Sequence, residues 1–133
     1  MGAEREQPDT PGYQRLAAWQ RAMDLVEAVY AVSREWPRDE QYGLIGQARR
    51  AAISIPSNLA EGHGRSGKKE YAHHVSIAFG SLCELETQLL IAGRLGYLGR
   101  DQLAPLIERI AEVRRILLGL LRSLRAPSDN LLS

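Results

Sequence analysis

Residues 101–125 read DQLAPLIERIAEVRRILLGLLRSLR. Leu103, Leu106, Ile110, Val113, Leu117, Leu120 and Leu124 recur at steps of three or four without a gap. That spacing keeps them all on one side of a helix, whereas a strand would divide them between two faces. The stretch predicts an amphipathic helix that opens at Asp101 after Gly99 and fades at Pro127. Upstream, Val75, Ala78, Leu82, Leu85 and Leu89 repeat the pattern, with Phe79 and Leu90 widening the arc. This predicts a helix from an N-cap at Ser66 to Leu95, closed by Gly96. A third run, Ile45, Ala48, Ala52, Ile55 and Leu59, predicts a helix over residues 39–61 whose small members permit close packing. Pro56 lies inside it and predicts a kink near Ala52. A first helix over residues 13–36 stops at Pro37. No stretch alternates with period two. Four helices joined by short connections predict an all-α, antiparallel up-down-up-down four-helix bundle. Residues 13–126 form that domain, between a flexible leader (1–12) and a flexible tail (127–133).

The first helix carries two apolar stripes about 180° apart at 100° per residue. One is Leu16, Trp19, Met23, Val26 and Tyr30; the other is Ala18, Leu25, Val29, Val32 and Trp36. A bundle buries one such face, and large apolar patches seldom stay in water. The second stripe, through Leu25, Val29, Val32 and Trp36, is therefore expected to bury against another copy of the chain. Partial cover of both stripes by leader and tail is the alternative.

Two charges sit inside apolar arcs. Glu86 falls between Val75 and Phe79 on the third helix, and Arg114 between Leu121 and Ile107 on the fourth. A hairpin turning near residue 98 sets Glu86 one helical turn from Arg114, which predicts an ion pair that fixes register; both side chains reaching outward is the other reading. On the second helix Gln47, Arg50, Ser54, Ser57, Asn58 and Glu61 line one polar face opposite the apolar stripe. Its Ser/Asn/Arg/Glu make-up suits either a ligand or a hydrogen-bonded network between helices.

Composition narrows the class. The 133 residues are 44% hydrophobic and 25% charged, which excludes a disordered chain. Cys83 is the only cysteine, so there is no intramolecular disulfide and no cysteine metal cluster, and a cytoplasmic location fits. It reads as a small, semi-buried apolar residue. No apolar run approaches the ~20 residues of a membrane span, so no membrane partner is expected. Seventeen basic against sixteen acidic residues give net charge +1. Basic residues are nonetheless uneven: Arg49, Arg50, Arg65, Lys68 and Lys69 cluster about one end of the second and third helices, and Arg109, Arg115, Arg122 and Arg125 line the outside of the fourth. Such patches suit RNA or DNA phosphates.

Chemical motifs fail on context. Gly62, Gly64 and Gly67 satisfy G-x-G-x-x-G, and residues 62–68 satisfy G-x-x-x-x-G-K. Both need a preceding strand, and Lys69 stands where a phosphate loop needs Ser or Thr. Glu70 and His73 make one Glu-x-x-His, whereas a di-iron bundle needs two and further inward Glu. No catalytic set can be placed, so no enzyme, cofactor or metal site is expected.

The segments LAAWQRAMDLVEAVY (16–30), YGLIGQARRAAISIPSNLAEGHGR (42–65) and KKEYAHHVSIAFGSLCELETQLLIAGRLGYL (68–98) resemble a family of bacterial four-helix bundle proteins. That family was first noticed as reading frames in intervening sequences of 23S rRNA genes. The resemblance spans about residues 13–125, most specifically RRAAISIPSNLAEG at 49–62. It implies a homopentamer. The accessory variability determinants of diversity-generating retroelements are similar, and they are basic pentameric barrels that bind nucleic acid and a reverse transcriptase. Arg49, Arg50, Ser54, Pro56, Asn58, Glu61 and Gly62 match the family pattern, as do Gly80, Ser81, Glu84 and Leu85. The near-neutral charge of this chain departs from those basic relatives. The reading is a non-enzymatic oligomeric scaffold that binds nucleic acid or a partner through Arg49, Arg50, Ser54, Asn58, Glu61, Arg65, Lys68 and Lys69. The alternative is a protein-interaction or assembly module whose polar stripe is structural.

Overall fold

The computed structural model describes residues 11–65 and 67–127. The expected cap at Ser66 and nearly all of the leader and tail lie outside those residues. The described chain holds four α-helices and no strand: α1 (Ala17–Ser33), α2 (Leu44–His63), α3 (Lys68–Arg94) and α4 (Arg100–Arg125). Neighbouring pairs are α1–α2, α2–α3, α3–α4 and α4–α1, which closes a ring around one apolar centre. Cross-helix bonds set the direction of each pair. Ser33 meets Arg49, Asn58 meets His74, and Ser76 meets Arg125, so successive helices run antiparallel.

Each helix end has a local cause. Gly12–Arg15 form a short 3-10 turn, and Leu16 then turns extended, so the first helix begins four residues later than Tyr13. It stops at Ser33 because Trp36 precedes Pro37 and leaves the helix to pack on Tyr97, with ring centroids 6.2 Å apart. Arg38–Glu40 form a second 3-10 turn, and the non-helical Gly43 delays α2 to Leu44. The Glu40 carboxylate accepts the Leu44 N–H at 3.0 Å and the Tyr97 hydroxyl at 2.8 Å. One side chain thus caps α2 and ties it to the α3–α4 turn. Gly96, at φ 81°, closes α3 with Tyr97 N–H on the Ala92 carbonyl and its own N–H on Gly93, a geometry that needs glycine. α2 runs unbroken through Pro56.

The core corrects the reading of the first helix. Leu25 and Val29 are fully buried and Trp36 nearly so, within their own bundle, and Val32 packs against the same core. Leu25, Val29 and Trp36 are therefore not available to another copy, and Val32 is half-buried. The small residues Ala18, Ala22 and Ser33 share that face and let α1 sit close to its neighbours. The other stripe is the outer one: Trp19, Val26 and Tyr30 are half-buried and Met23 is exposed. Cys83, expected semi-buried, is exposed. α3 is long and apolar enough to cross a membrane by length and composition, contrary to the expectation from run lengths. Its Val75, Ala78, Leu82, Leu85 and Leu89 are all inside the bundle.

Glu86 and Arg114 are brought together across α3 and α4, Arg114 Nη2 donating to Glu86 Oε1, with about a quarter of each side chain exposed (26% and 30%). Their burial lies between a surface pair and a dry one. A double-mutant cycle with Glu86→Ala and Arg114→Ala should give a coupling of about 1–2 kcal/mol, between the ranges for exposed and buried pairs.

Leu25→Ala should destabilise the bundle by about 2–5 kcal/mol in chemical denaturation, since it opens a cavity in the core. The Glu40 carboxyl is held below its ordinary range, first by the Leu44 N–H and then by the Tyr97 hydroxyl. A lowered folded value means a contribution present above the unfolded value and lost as pH falls through the folded one. Thermal melts of Glu40→Gln should therefore fall below the native protein near neutral pH and converge with it in acid.

Candidate nucleic-acid interface

α2 and α3 approach closely because small residues line the seam. A methyl group on Gly62 would stand 2.6 Å from the His74 Cβ, too close for any side chain to be accommodated without a shift. With that space open, a chain of hydrogen bonds crosses the seam. Ser54 Oγ and Ser81 Oγ are 2.8 Å apart. Asn58 Nδ2 donates to the Ser54 carbonyl at 2.9 Å and to Ser54 Oγ at 3.1 Å. Asn58 Oδ1 lies 3.0 Å from His74 Nδ1. Ser54 and Asn58, read as facing either a ligand or a network between helices, bond to each other and to α3. Half-buried polar groups need such partners, which accounts for this part of the polar face.

The seam leads to the turn between α2 and α3. Arg65 Nη2 bonds Glu61 Oε2 at 2.6 Å, with both side chains about half exposed. That bond is the main reason the Glu61 carboxyl sits below its usual range. Lys68 and Lys69 open α3 just beyond, fully in solvent. Two adjoining open depressions share Lys69 and His73. One, of about 510 Å³, is lined by Arg65, Lys69, Glu70, His73 and His74. The other, of about 520 Å³, adds Lys68, Ser76 and Arg125. Arg125 Nη2 donates to Ser76 Oγ at 2.8 Å, which pins the C-terminal end of α4 beside the start of α3.

The structure therefore gathers Arg65, Lys68 and Lys69 and separates them from Arg49 and Arg50. Those two lie about 20 Å away along α2, since the helix rises 1.5 Å per residue. Arg49 is used inside the fold: its Nε donates to the buried Ser33 Oγ at 2.8 Å, and its guanidinium lies 4.4 Å from the Tyr30 ring centroid. Arg50 is exposed on the outer face of α2. Arg125 was expected on the outside of the fourth helix but not beside the turn, and His73 and His74 were not among the expected binding residues. The hairpin register that pairs Glu86 with Arg114 also sets Ser76 opposite Arg125, and it was a usable signal. Within the described residues, no three His, Cys, Asp or Glu side chains are grouped to hold a metal ion.

A helical bundle with a basic cluster at its α2–α3 turn is the class defined by this geometry. The family model for the 23S rRNA-intervening sequence protein matches residues 14–119, and the chain belongs to that family. A solved structure from Bacteroides thetaiotaomicron, a protein of unknown function from the S23 ribosomal protein family, is similar in fold, with a TM-score of 0.73. It is 18% identical, and the match covers 80% of this chain and 99% of that one. No curated protein matches the sequence.

Proposed function

We propose that the protein is a non-enzymatic, cytoplasmic, self-associating scaffold that binds the phosphate backbone of nucleic acid through the α2–α3 turn and the end of α4. The observation that carries this reading is the convergence of Arg65, Lys68, Lys69 and Arg125 around two adjoining depressions. Of the acidic groups there, Glu61 is already paired with Arg65, which leaves Glu70 against the two lysines and Arg125. Lysine and arginine at this density suit phosphate, and a flat, open site suits a strand better than a small molecule. Tyr71 packs edge-on against His63 and is half-buried, so it offers no open stacking platform. The contacts are to backbone, and binding is indifferent to base sequence.

Self-association is assigned to the outer stripe of α1 in place of the buried one. Met23 on α1 and Ile53 on α2 are about 40% exposed, and Trp19 and Tyr30 of the α1 stripe are half-buried. Five copies, as the family resemblance implies, would repeat the cationic end five times. The second reading, an assembly module without nucleic acid, draws support from Ser54 and Asn58, whose hydrogen bonds are internal.

Light scattering of the purified protein, with and without a mixed RNA and DNA pool, separates the two. The first reading expects an oligomer that gains mass with nucleic acid, less so at higher salt. Charge reversal at Lys68, Lys69 and Arg125 should lower the log–log salt slope of binding by about 0.7–0.9 for each phosphate no longer neutralised. An oligomer indifferent to nucleic acid at low salt would establish the second reading, and a monomer would overturn both.

A further inference from the structure

The hydrogen bonds around Asn58 fix the proton on His74. A carbonyl oxygen only accepts, so the Asn58 atom 2.9 Å from the Ser54 carbonyl is the amide nitrogen. The other end of the amide, Oδ1, is an acceptor and faces His74 Nδ1 at 3.0 Å. His74 Nδ1 must then carry hydrogen. In the neutral ring the remaining lone pair is on Nε2, which makes His74 an acceptor there.

The depression that His74 lines is otherwise rich in donors. Arg65 and Lys69 present N–H groups, Glu70 is the acceptor on the rim, and His73 stands beside His74 with ring centroids 5.6 Å apart. A ligand complementary to this set brings phosphate oxygens for the cations and one hydroxyl donor for His74. RNA has that pair on every nucleotide, a phosphate beside a 2′-hydroxyl. DNA supplies the phosphate alone. Resting on the nucleic-acid reading above, we propose that this end of the bundle prefers RNA to DNA because a 2′-hydroxyl donates to His74 Nε2, with Asn58 as the positioning residue.

The test is fluorescence anisotropy of the full chain at low salt. Three single strands of one mixed sequence are compared: RNA, DNA and fully 2′-O-methylated RNA. RNA should bind about three- to tenfold more tightly than DNA, the worth of one neutral hydrogen bond. The methylated strand has no hydroxyl proton to give and should fall to the level of DNA. His74→Ala should bring RNA down to the level of DNA. Asn58→Ala removes the acceptor that holds hydrogen on Nδ1 and should shrink the RNA-to-DNA ratio. Equal binding of RNA and DNA, methylated RNA that binds as RNA does, or a preference that survives His74→Ala would each overturn the proposal. The methylated strand needs no variant, so the outcome does not depend on His74→Ala folding. Absence of binding by all three strands would instead overturn the underlying assignment of the site.

Discussion

The side-chain amide of Asn58 sets the geometry on which much of the molecule depends. It joins Ser54 in its own helix to His74 in the next, and Ser54 continues the chain to Ser81. An apolar seam of alanines would tolerate sliding by a turn, since one small residue replaces another at little cost. A polar chain does not, because a slipped register leaves half-buried amide and imidazole groups unpaired, at about 1–3 kcal/mol each. The same register carries the α2–α3 turn and its basic residues to a fixed place, so the hydrogen bonds that specify the fold also specify the candidate site.

The two ends of the bundle are built differently. At one end Glu40 caps α2 and receives Tyr97 from the α3–α4 turn, so a carboxylate is consumed in holding loops together. At the other end the acidic group nearest the turn, Glu61, is satisfied by Arg65, while Lys68 and Lys69 remain in solvent. Net charge of +1 over the whole chain conceals this arrangement. Local placement, and not total charge, decides what a surface attracts, because charges farther off than the ~8–10 Å screening length contribute little.

What could be read in advance follows from how each signal arises. The 3,4 spacing of Leu106, Ile110, Val113 and Leu117 announces a helix because burial itself imposes it, and all four are buried. Glu86 and Arg114 could be matched because a short hairpin converts sequence distance into register. α1 resisted the same treatment. Periodicity yields two apolar stripes there and does not rank them, and Trp19, Met23 and Tyr30 have more apolar surface than Leu25 and Val29. The smaller residues win the core because Ala18, Ala22 and Ser33 beside them permit close helix contact. Broad aromatics with a polar tip tolerate a half-wet position. Arg49 misled for a related reason. Its charge suggests a surface role, but its partner Ser33 comes from another helix and carries no mark in the local sequence.

The cationic end and the outer stripe of α1 belong together energetically. One copy has four or so cations at the turn, and each phosphate contact weakens steeply as salt rises. A strand held by so few contacts dissociates readily at physiological ionic strength. Repetition changes the arithmetic: once one site is engaged, the next phosphate run is presented at high effective concentration, and avidity can exceed single-site affinity by about 10²–10⁴ without any new kind of contact. On the proposed reading, a patch of so few cations would hold nucleic acid firmly only in an assembly. The outer stripe of α1, exposed at Met23, would then be what makes a modest basic patch sufficient.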